Sequence, residues 1–383
     1  MAIRKRTWTA PDGSEKTAWL VDYRDQAGKR RAKQFARKKD AEAWSTNAAS
    51  EVQRGVHTPD STSISVAAAA EQWIKSVRAN GREPTTIAAY SQHVRLHIVP
   101  KCGATKLSQL TAPKVRAIFD EWLLHLSRPM ALRVLRSLKA IISEAQERGQ
   151  VAQNVAQAIK PRTATREKTK ATPPSKADLR SILKAAETAD LPAQALMELA
   201  IFTGMRASEL RGLPWSNVDL KRGTVTVSQR ADAQGNIGAP KSEAGHRTIA
   251  LPPRVITAMK AWKLACPVSK ADLVFPSERG KAMSHRVMML KLVGPVQIAA
   301  KVTGPQPEDP ESSPPPRYGM HAFRHAAASL WIEQGLDPKR VQTLMGHSSI
   351  QMTFDTYGHL FEQARKDRDD AAAIERALFA DAT

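Results

Sequence analysis

The stretch GHSSIQMTFDTYGHL, residues 346–360, places Tyr357 ten residues after His347 in a largely polar run. The chain contains four tyrosines, so a tyrosine in these surroundings needs a reason. Taken alone, such a tyrosine is usually a half-buried packing residue whose hydroxyl reaches water. Whether Tyr357 has a chemical role depends on what the rest of the chain supplies.

The composition points to a nucleic-acid partner. The 383 residues are 42% hydrophobic and carry a formal net charge of +21, which fits two or three globular domains with more positive charge than stability requires. Such an excess usually matches a polyanionic partner, and nucleic acid is the first candidate. An anionic membrane surface is the competing partner, but no apolar run approaches the ~18 residues that a membrane span needs.

The first residues and the cysteines indicate the cellular compartment. The first residues are basic but lack the apolar segment of a secretory signal. Cys102 and Cys266 lie far apart and form neither a disulfide framework nor a structural zinc motif, which fits a reducing cytoplasm.

Residues 1–58 have the pattern of a small β-rich module. TAWLVDYRD, residues 17–25, alternates as a strand does, and DQAGKRRAKQFA, residues 25–36, predicts a turn and a second, very basic strand. KKDAEAWSTNAASEVQRG, residues 38–55, predicts a helix. Residues 57–63 have the composition of a linker. The basic strand could lie on DNA or could be a solvated face, and its candidate DNA contacts are Lys29, Arg30, Arg31 and Lys33.

Residues 64–160 predict a bundle of four or more helices. MALRVLRSLKAIISEAQERG, residues 130–149, carries an apolar stripe at helical spacing. Residues 161–176 are basic, rich in Thr and Pro and without an apolar period, so they predict an interdomain linker. Charged outer faces are ordinary on helices, but the bundle's polar faces supply three candidate phosphate contacts, Arg133, Arg136 and Lys139.

Residues 177–383 predict a larger mixed domain. Helical patterns in KADLRSILKAAE, PAQALMELAIFTG, MHAFRHAAASLWIEQG and DPKRVQTLMG accompany strand patterns in RGTVTVSQR and HRTIAL. The Pro-rich segment 303–319 should be a loop. DDAAAIERALFADAT, residues 369–383, predicts a terminal helix with an apolar side.

Two stretches of this domain bring cations to expected turns. TGMRASEL, residues 203–210, places Arg206 at an expected helix start, where Glu209 three residues on can hold the guanidinium from behind. APKSEAGHRTIAL, residues 239–251, places Lys241 beside a tight turn with its amine able to reach outward. Each has an ordinary explanation as a surface ion pair or a solvated lysine.

Two further stretches bring histidines to helices. HAFRH, residues 321–325, places His321 and Arg324 at i, i+3 on one helix face. GHSS, residues 346–349, places His347 at the end of the next helix. Neither signal is strong alone, because such spacings arise often by chance.

Together and in this order, these motifs and a tyrosine ten residues after the last His resemble the tyrosine recombinase (phage integrase) family. The resemblance implies a multidomain, mainly α-helical fold with small β-sheets. Its parts would be an N-terminal β-sheet plus helix arm-binding module, residues 1–58; a helical, SAM-like core-binding domain, 64–160; the basic linker, 161–176; and a mixed α+β catalytic domain with a C-terminal tail helix, 177–383. The length and proline content of 303–317 depart from the family pattern.

The resemblance also implies roles for individual residues. Tyr357 would be the nucleophile, and Arg206 and Arg324 would clamp the scissile phosphate. Lys241 would be the general acid for the leaving 5′-oxygen. The histidines would act as general base and phosphate ligand. The implied catalytic set is Arg206, Lys241, His321 (base), Arg324, His347 (phosphate ligand) and Tyr357, supported by Glu209 and His325.

The chemistry of these residue types agrees with those roles. A free phenol has a pKa of about 10, so a tyrosine nucleophile needs a base or a strongly cationic site. Two planar guanidiniums match the oxygens of a phosphodiester under attack better than lysines do. The phosphotyrosyl bond stores the energy of the broken strand, so no cofactor is expected. No ATP-binding motif and no carboxylate cluster of a two-metal nuclease occurs in the sequence.

The implied function is site-specific recombination in the cytoplasm, at the bacterial nucleoid, that integrates or excises a mobile element such as a prophage. The implied partners are double-stranded DNA with core and arm sites, three further copies of the chain in a homotetramer, and a DNA-bending host factor or excisionase as accessories. Two alternatives stay open. One is a type IB-like topoisomerase, and the other is a DNA-binding or architectural protein that has lost catalysis.

Overall fold

The computed structural model describes residues 1–25, 28–55, 57–161, 173–307, 309 and 311–364. The chain forms two compact units, Met1–Arg166 and Glu167–Thr383. Most of the expected linker, residues 161–176, lies outside the described residues, and so does the whole expected tail helix, residues 369–383.

The first unit opens with a three-stranded antiparallel sheet in the order β1-β2-β3 and one helix. Trp44 of the helix packs against Tyr23 and Phe35 of the sheet, with ring centroids 5.2 Å and 5.6 Å apart. The second and third strands and the helix were predicted from the sequence, and the first was not. The elements are β1 (Ala2–Thr9), β2 (Glu15–Arg24), β3 (Arg30–Phe35) and α1 (Lys38–Gln53).

Segment 57–63, which has the composition of a linker, is tied to the sheet by side chains. The buried His57 ring lies 2.9 Å from Glu51 Oε2 and 3.0 Å from the Tyr23 hydroxyl. Lys33 of β3 pairs with Asp60 at 2.7 Å. These contacts hold the segment against the sheet and α1.

The rest of the first unit is helical. Residues 94–98 form a π-helical turn, and short 3₁₀ turns cover 107–109 and 155–158. The predicted apolar stripe of α6 (Arg128–Glu147) contributes to the core, since Leu135, Leu138 and Ile142 are buried and Leu132 packs partly buried against the same cluster. The helices are α2 (Val66–Ala79), α3 (Pro84–His93), α4 (Val99–Cys102), α5 (Ala112–His125) and α6 (Arg128–Glu147).

The second unit is built around α8 (Leu191–Thr203), whose apolar sequence is buried on almost every side because other helices pack around it. Two small antiparallel sheets, β4-β5-β8 and β6-β7, lie beside these helices. In chain order the elements are α7 (Lys176–Ala186), α8 (Leu191–Thr203), α9 (Ala207–Arg211), β4 (Val218–Asp219), β5 (Thr224–Val227), β6 (Arg230–Ala231), β7 (Ile237–Gly238), β8 (Arg247–Ala250), α10 (Pro253–Ala265), α11 (His285–Met288), α12 (Gly294–Ala299), α13 (Met320–Glu333), α14 (Pro338–Met345) and α15 (Ile350–Ala364).

The Pro-rich segment before α13 is a loop where it is described, as predicted. Its two ends meet in an antiparallel bridge between Thr303 and Pro316, and the Gly304 amide donates to the Pro315 carbonyl at 2.8 Å. The predicted fold class, mainly α-helical and multidomain with small sheets, is confirmed.

Candidate active site

Arg206 occupies the expected helix start. Gly204 ends α8 with a left-handed φ of 58°, which a glycine adopts without steric cost, and Arg206 then precedes α9. Its Nη1 donates to Glu209 Oε1 at 2.7 Å, and its backbone N–H donates to Glu209 Oε2 at 2.8 Å. The predicted pair is therefore present, and it leaves the Arg206 side chain 38% exposed.

A second arginine, which was not predicted from the sequence, holds the same carboxylate. Arg247 on β8 is buried and places Nη2 2.7 Å from Glu209 Oε2. It also donates to the Leu344 carbonyl at 2.7 Å and to the Gly245 carbonyl at 3.0 Å. Burial alone would raise the pKa of Glu209, but the hydrogen bonds and charge of Arg247 hold it below its usual range.

The signal for Arg247 was present in the sequence. In HRTIAL the alternation that predicts a strand puts Arg247 on the same side as Ile249, which is the buried side. An arginine at an inward position of a strand needs a buried partner, and Glu209 is that partner.

Arg324 lies on α13 and is 2% exposed. It donates to the Gly204 carbonyl at 2.7 Å and also to the Met345 carbonyl, so it joins the ends of α8 and α14. Burial first and the nearby Arg206 second lower its pKa to about 9. The guanidinium therefore still carries its charge at neutral pH.

The end of α14 positions His347. Gly346 has a left-handed φ of 62°, and a Cβ there would lie 2.9 Å from the Ala244 carbonyl oxygen. Only glycine fits that approach, which brings His347 into the site. His347 is buried, and its Nδ1 lies 3.0 Å from Thr353 Oγ1 on α15.

Tyr357 lies on α15 among these groups. The residue is 3% exposed, and its ring stacks 6.5 Å from that of His347. The hydroxyl is 2.8 Å from His325 Nδ1. The ordinary expectation of a packing tyrosine is partly met, because the ring packs with Ile332 and Val341 in a small apolar cluster.

The site keeps its phenol protonated and its imidazoles neutral. Burial raises the pKa of Tyr357 to about 12, opposed by the charge of Arg324. Burial first and the nearby His321 and Arg324 next lower the pKa of His325 to about 4. Burial and the guanidiniums of Arg324 and Arg206 lower the pKa of His347 to about 4. The site is thus cationic through its arginines.

Lys241 and His321 lie on the solvent side. Lys241 follows β7 in the loop before the 3₁₀ turn 243–245 and lines an open cleft with Arg206, Gly346 and Ser348. His321 is exposed at the start of α13, with its ring edge-on to His325 at 4.5 Å. Partial enclosure and then the charges of Arg324 and Arg206 lower its pKa. All six predicted catalytic side chains thus belong to the second unit.

The predicted DNA contacts of the first unit divide into two groups. Arg31 pairs with Asp25 at 2.8 Å and Lys33 pairs with Asp60 at 2.7 Å, so both are engaged within the unit. Lys139 donates to the Ile159 carbonyl at 2.9 Å. The exposed members are Lys29, Arg30, Arg133 and Arg136.

The face of the N-terminal sheet opposite α1 is strongly basic. Strand register places Arg4 beside Leu20, Arg6 beside Ala18 and Arg24 beside Arg30 on this face. Asp22 lies among them, 2.9 Å from Arg4. Strand β1 was not predicted from the sequence, and neither were Arg4 and Arg6 as candidate contacts. We call Arg4, Arg6, Lys16, Arg24 and Arg30 the open-face cations.

Two kinds of feature are absent from the residues that the structure describes. Within them, no three His, Cys, Asp or Glu side chains are grouped so that they could hold a metal ion. None of the helices in the same part of the chain combines the length and the apolar character needed to cross a bilayer.

Comparison with known proteins gives a consistent set of matches. The model of the phage integrase family matches residues 175–364. An integrase of Streptomyces ambofaciens is 26% identical over 319 residues, covering 77% of this chain and 76% of the relative. A tyrosine recombinase XerC-like protein of Caldanaerobacter subterraneus subsp. tengcongensis is 24% identical, covering 95% of this chain and 97% of the relative.

Solved structures share the fold. The Tn1549 transposon integrase in complex with transposon right end DNA has a TM-score of 0.64 at 20% identity, covering 83% of this chain and 100% of that chain. A lambda integrase dimer bound to a COC′ core site has a TM-score of 0.59 at 19% identity, covering 94% of this chain and 95% of that chain. These matches extend the likeness beyond the region of the family model.

Proposed function

Because this chain belongs to the phage integrase family of tyrosine-type site-specific recombinases, we propose that Tyr357 is its nucleophile. The phenolic oxygen attacks a scissile phosphate, forms a 3′-phosphotyrosyl bond and releases a 5′-hydroxyl. A 5′-hydroxyl from another strand then attacks that bond and reseals the DNA. The energy of the broken phosphodiester is kept in the covalent intermediate.

The observation that carries the proposal is the convergence on one site of Tyr357 with Arg206 and Arg324. Arg206 is fixed by Glu209, and Arg324 is fixed by two backbone carbonyls. Guanidiniums held in this way need little reorganisation when negative charge develops on the phosphate. His347, held by Thr353, is the third phosphate ligand in this proposal.

Lys241 supplies the proton to the leaving 5′-oxygen. Its position on an exposed loop that lines the cleft with Arg206 supports this role. An alkoxide leaves poorly without a proton, and a lysine ammonium is a suitable donor. DNA bound in the cleft would bring the 5′-oxygen to the amine.

The direct test uses a nicked suicide substrate, from which the cleaved strand diffuses away and traps the covalent adduct. Tyr357→Phe should form no adduct and should bind core-site DNA with nearly unchanged affinity, because the hydroxyl acts only in bond making. Adduct formation by this variant would assign the nucleophile elsewhere. The wild-type chain should form the adduct, which a purely architectural DNA-binding protein would not do.

A second assay separates recombination from topoisomerase action. The wild-type chain should exchange strands between two sites carrying the same crossover sequence and should be inactive on a supercoiled plasmid without that sequence. Relaxation of any supercoiled plasmid, without exchange, would support the type IB-like alternative.

We propose further that residues 1–58 bind a second, arm-type class of DNA site, and that the open-face cations contact its phosphates. The supporting observation is their exposure on one side of the sheet, opposite α1. Removing residues 1–58 should abolish binding to arm DNA and leave core-site cleavage intact. Unchanged binding to all flanking DNA after this truncation would refute the module's role.

The assembly that we propose is a homotetramer on two duplexes, because exchange of both strands between two sites needs four cleavages. The solved lambda integrase structures include a tetramer bound to a Holliday junction, and the likeness to this chain is one of fold. Light scattering of the chain on a synthetic four-way junction should give four protomers per junction. The mobile element would be a prophage or a related element, with a DNA-bending host factor or excisionase as accessory.

A further inference from the structure

The hydroxyl of Tyr357 has one close partner at 2.8 Å, and that partner is His325 rather than His321. His325 lies on α13 four residues after His321, so the two imidazoles share one face of that helix. The two rings, Tyr357 and His325, lie 5.5 Å apart at 63°. His321, one turn earlier, meets the edge of the His325 ring.

We propose that His325 is a catalytic residue that accepts the phenolic proton of Tyr357 during strand cleavage, in place of His321. This inference rests on the proposed function, since it takes Tyr357 as the nucleophile. It changes the sequence-based assignment, in which His321 is the general base and His325 only supports the site.

Proton transfer to His325 accompanies the exchange of bonds at phosphorus. The Tyr357 oxygen forms a bond to phosphorus, and its proton passes to Nδ1 of His325. The bond between phosphorus and the 5′-oxygen breaks, and that oxygen takes a proton from Lys241. In the resealing reaction the protons move back, with His325 returning its proton to the leaving phenol.

The surroundings of His325 suit a proton acceptor at neutral pH. The imidazole must be neutral to accept, and its pKa of about 4, set by burial and then by His321 and Arg324, keeps it so. The phenol has a pKa of about 12, so transfer before attack is unfavourable. The proton therefore moves as the bond to phosphorus forms and the phenolic oxygen becomes more acidic. The charged or titratable groups around the imidazole are His321 and Arg324 on α13, Tyr357 on α15 and His347 after α14.

The first test makes the phenol of the nucleophile more acidic, so that cleavage depends less on a general base. His325→Gln should slow single-turnover adduct formation by about 100- to 10,000-fold, as loss of a general base does. Replacing Tyr357 by 3,5-difluorotyrosine, whose phenol is more acidic, should recover at least tenfold of that loss. The matched control is His321→Gln, for which the fluorinated nucleophile should give no selective recovery.

The second test supplies the base from solution. His325→Gly should regain adduct formation when imidazole is added, and a series of substituted imidazoles should give rates that rise with their basicity. If the added imidazoles only filled the cavity left by the substitution, the rates would depend on the size of the imidazole instead. Core-site affinity and thermal unfolding of both His325 variants, measured beside the wild-type chain, establish that they are folded.

The outcomes separate the inference from its premise. If Tyr357→Phe abolishes the adduct but His325→Gln cleaves at the wild-type rate, the nucleophile stands and His325 is not the base. Selective recovery of His321→Gln by difluorotyrosine would return the role to His321. If Tyr357→Phe still forms the adduct, the proposed function itself is overturned.

Discussion

The two units use arginine in opposite ways. On the N-terminal sheet, Arg4 and Arg30 have side chains that are 62% and 70% exposed, and their carboxylate partner Asp22 is shared. In the second unit, called the catalytic unit below, Arg247 and Arg324 are buried, and hydrogen bonds to carboxylate or carbonyl oxygens hold both guanidiniums in place. One set is available to any phosphate that approaches, whereas the other is fixed before DNA arrives.

The difference separates affinity from rate. Exposed cations gain binding energy by releasing counterions, which is additive and salt-dependent. Buried, pre-positioned cations cost desolvation energy in the free protein, and they act when charge appears in the transition state. Substitutions on the sheet should therefore change binding in small increments, and substitutions in the catalytic unit should change cleavage in large steps.

Lys241 tests whether exposure alone decides if a cation contributes to DNA affinity or to the cleavage rate. It is exposed like the sheet cations, but Lys241→Ala should slow cleavage by about 100- to 10,000-fold with little loss of affinity. When sulfur replaces the 5′-bridging oxygen of the substrate, the 5′-thiolate leaves without a proton. This substrate should therefore restore much of the rate. Single-turnover cleavage of matched oxygen and sulfur substrates measures this. Equal defects on both would remove Lys241 from the acid role.

Arg247 should show the largest effect on stability. Arg247→Met leaves the 2%-exposed Glu209 side chain with Arg206 as its remaining charged partner. We expect a loss of about 3 kcal/mol in the free energy of unfolding, the scale for breaking a buried ion pair. Adding Glu209→Gln to this variant should recover part of the loss. Urea denaturation of the single and double variants measures it, and a single variant as stable as wild type would contradict the argument.

Sequence patterns were sufficient for much of this architecture. The helices α7, α8, α13 and α14 and the strands β2, β3, β5 and β8 follow from periodicity, because their apolar residues face a core. Strand β1 does not, since most of AIRKRTWT is exposed and its pairing with β2 defines it. Helices α10–α12 and α15 were also not predicted.

The candidate site divides in the same way. The pair Arg206 and Glu209 is local, so spacing predicted it. The bond of Arg247 to Glu209 joins residues 38 apart in sequence, and that of Tyr357 to His325 joins residues 32 apart. Spacing along one chain segment cannot reveal such bonds, because packing of separate elements creates them.

Histidines of the site make the catalytic unit sensitive to acid. In the folded state the pKa of His347 is about 4, whereas in the unfolded chain it is about 6.5. Between these values the unfolded state binds more protons, so stability is complete above pH 6.5 and falls as the pH drops. From pH 6.5 to 5 we expect a loss of about 2 kcal/mol from this group. Denaturation at both pH values should show it, and His347→Gln should reduce it. An unchanged pH dependence in that variant would disprove the assignment to His347.

The smallest expected effect is a change in DNA affinity from substitutions on the N-terminal sheet. This effect shows which face of the sheet contacts DNA. Arg4→Gln with Arg30→Gln removes two exposed cations, and each lost phosphate contact should lower the slope of log affinity against log salt by about 0.9. The matched control, Arg31→Gln with Lys33→Gln, removes two cations whose side chains are 19% and 28% exposed and paired with Asp25 and Asp60. That pair should leave the slope nearly unchanged and lower the melting temperature, because it breaks contacts that anchor β3 to segment 57–63. Fluorescence anisotropy on arm-site DNA across a salt series measures both variants. If the control pair reduces the slope more than the first pair does, the strand face that carries Arg31 and Lys33 is the one that contacts DNA, and the open face is only solvated.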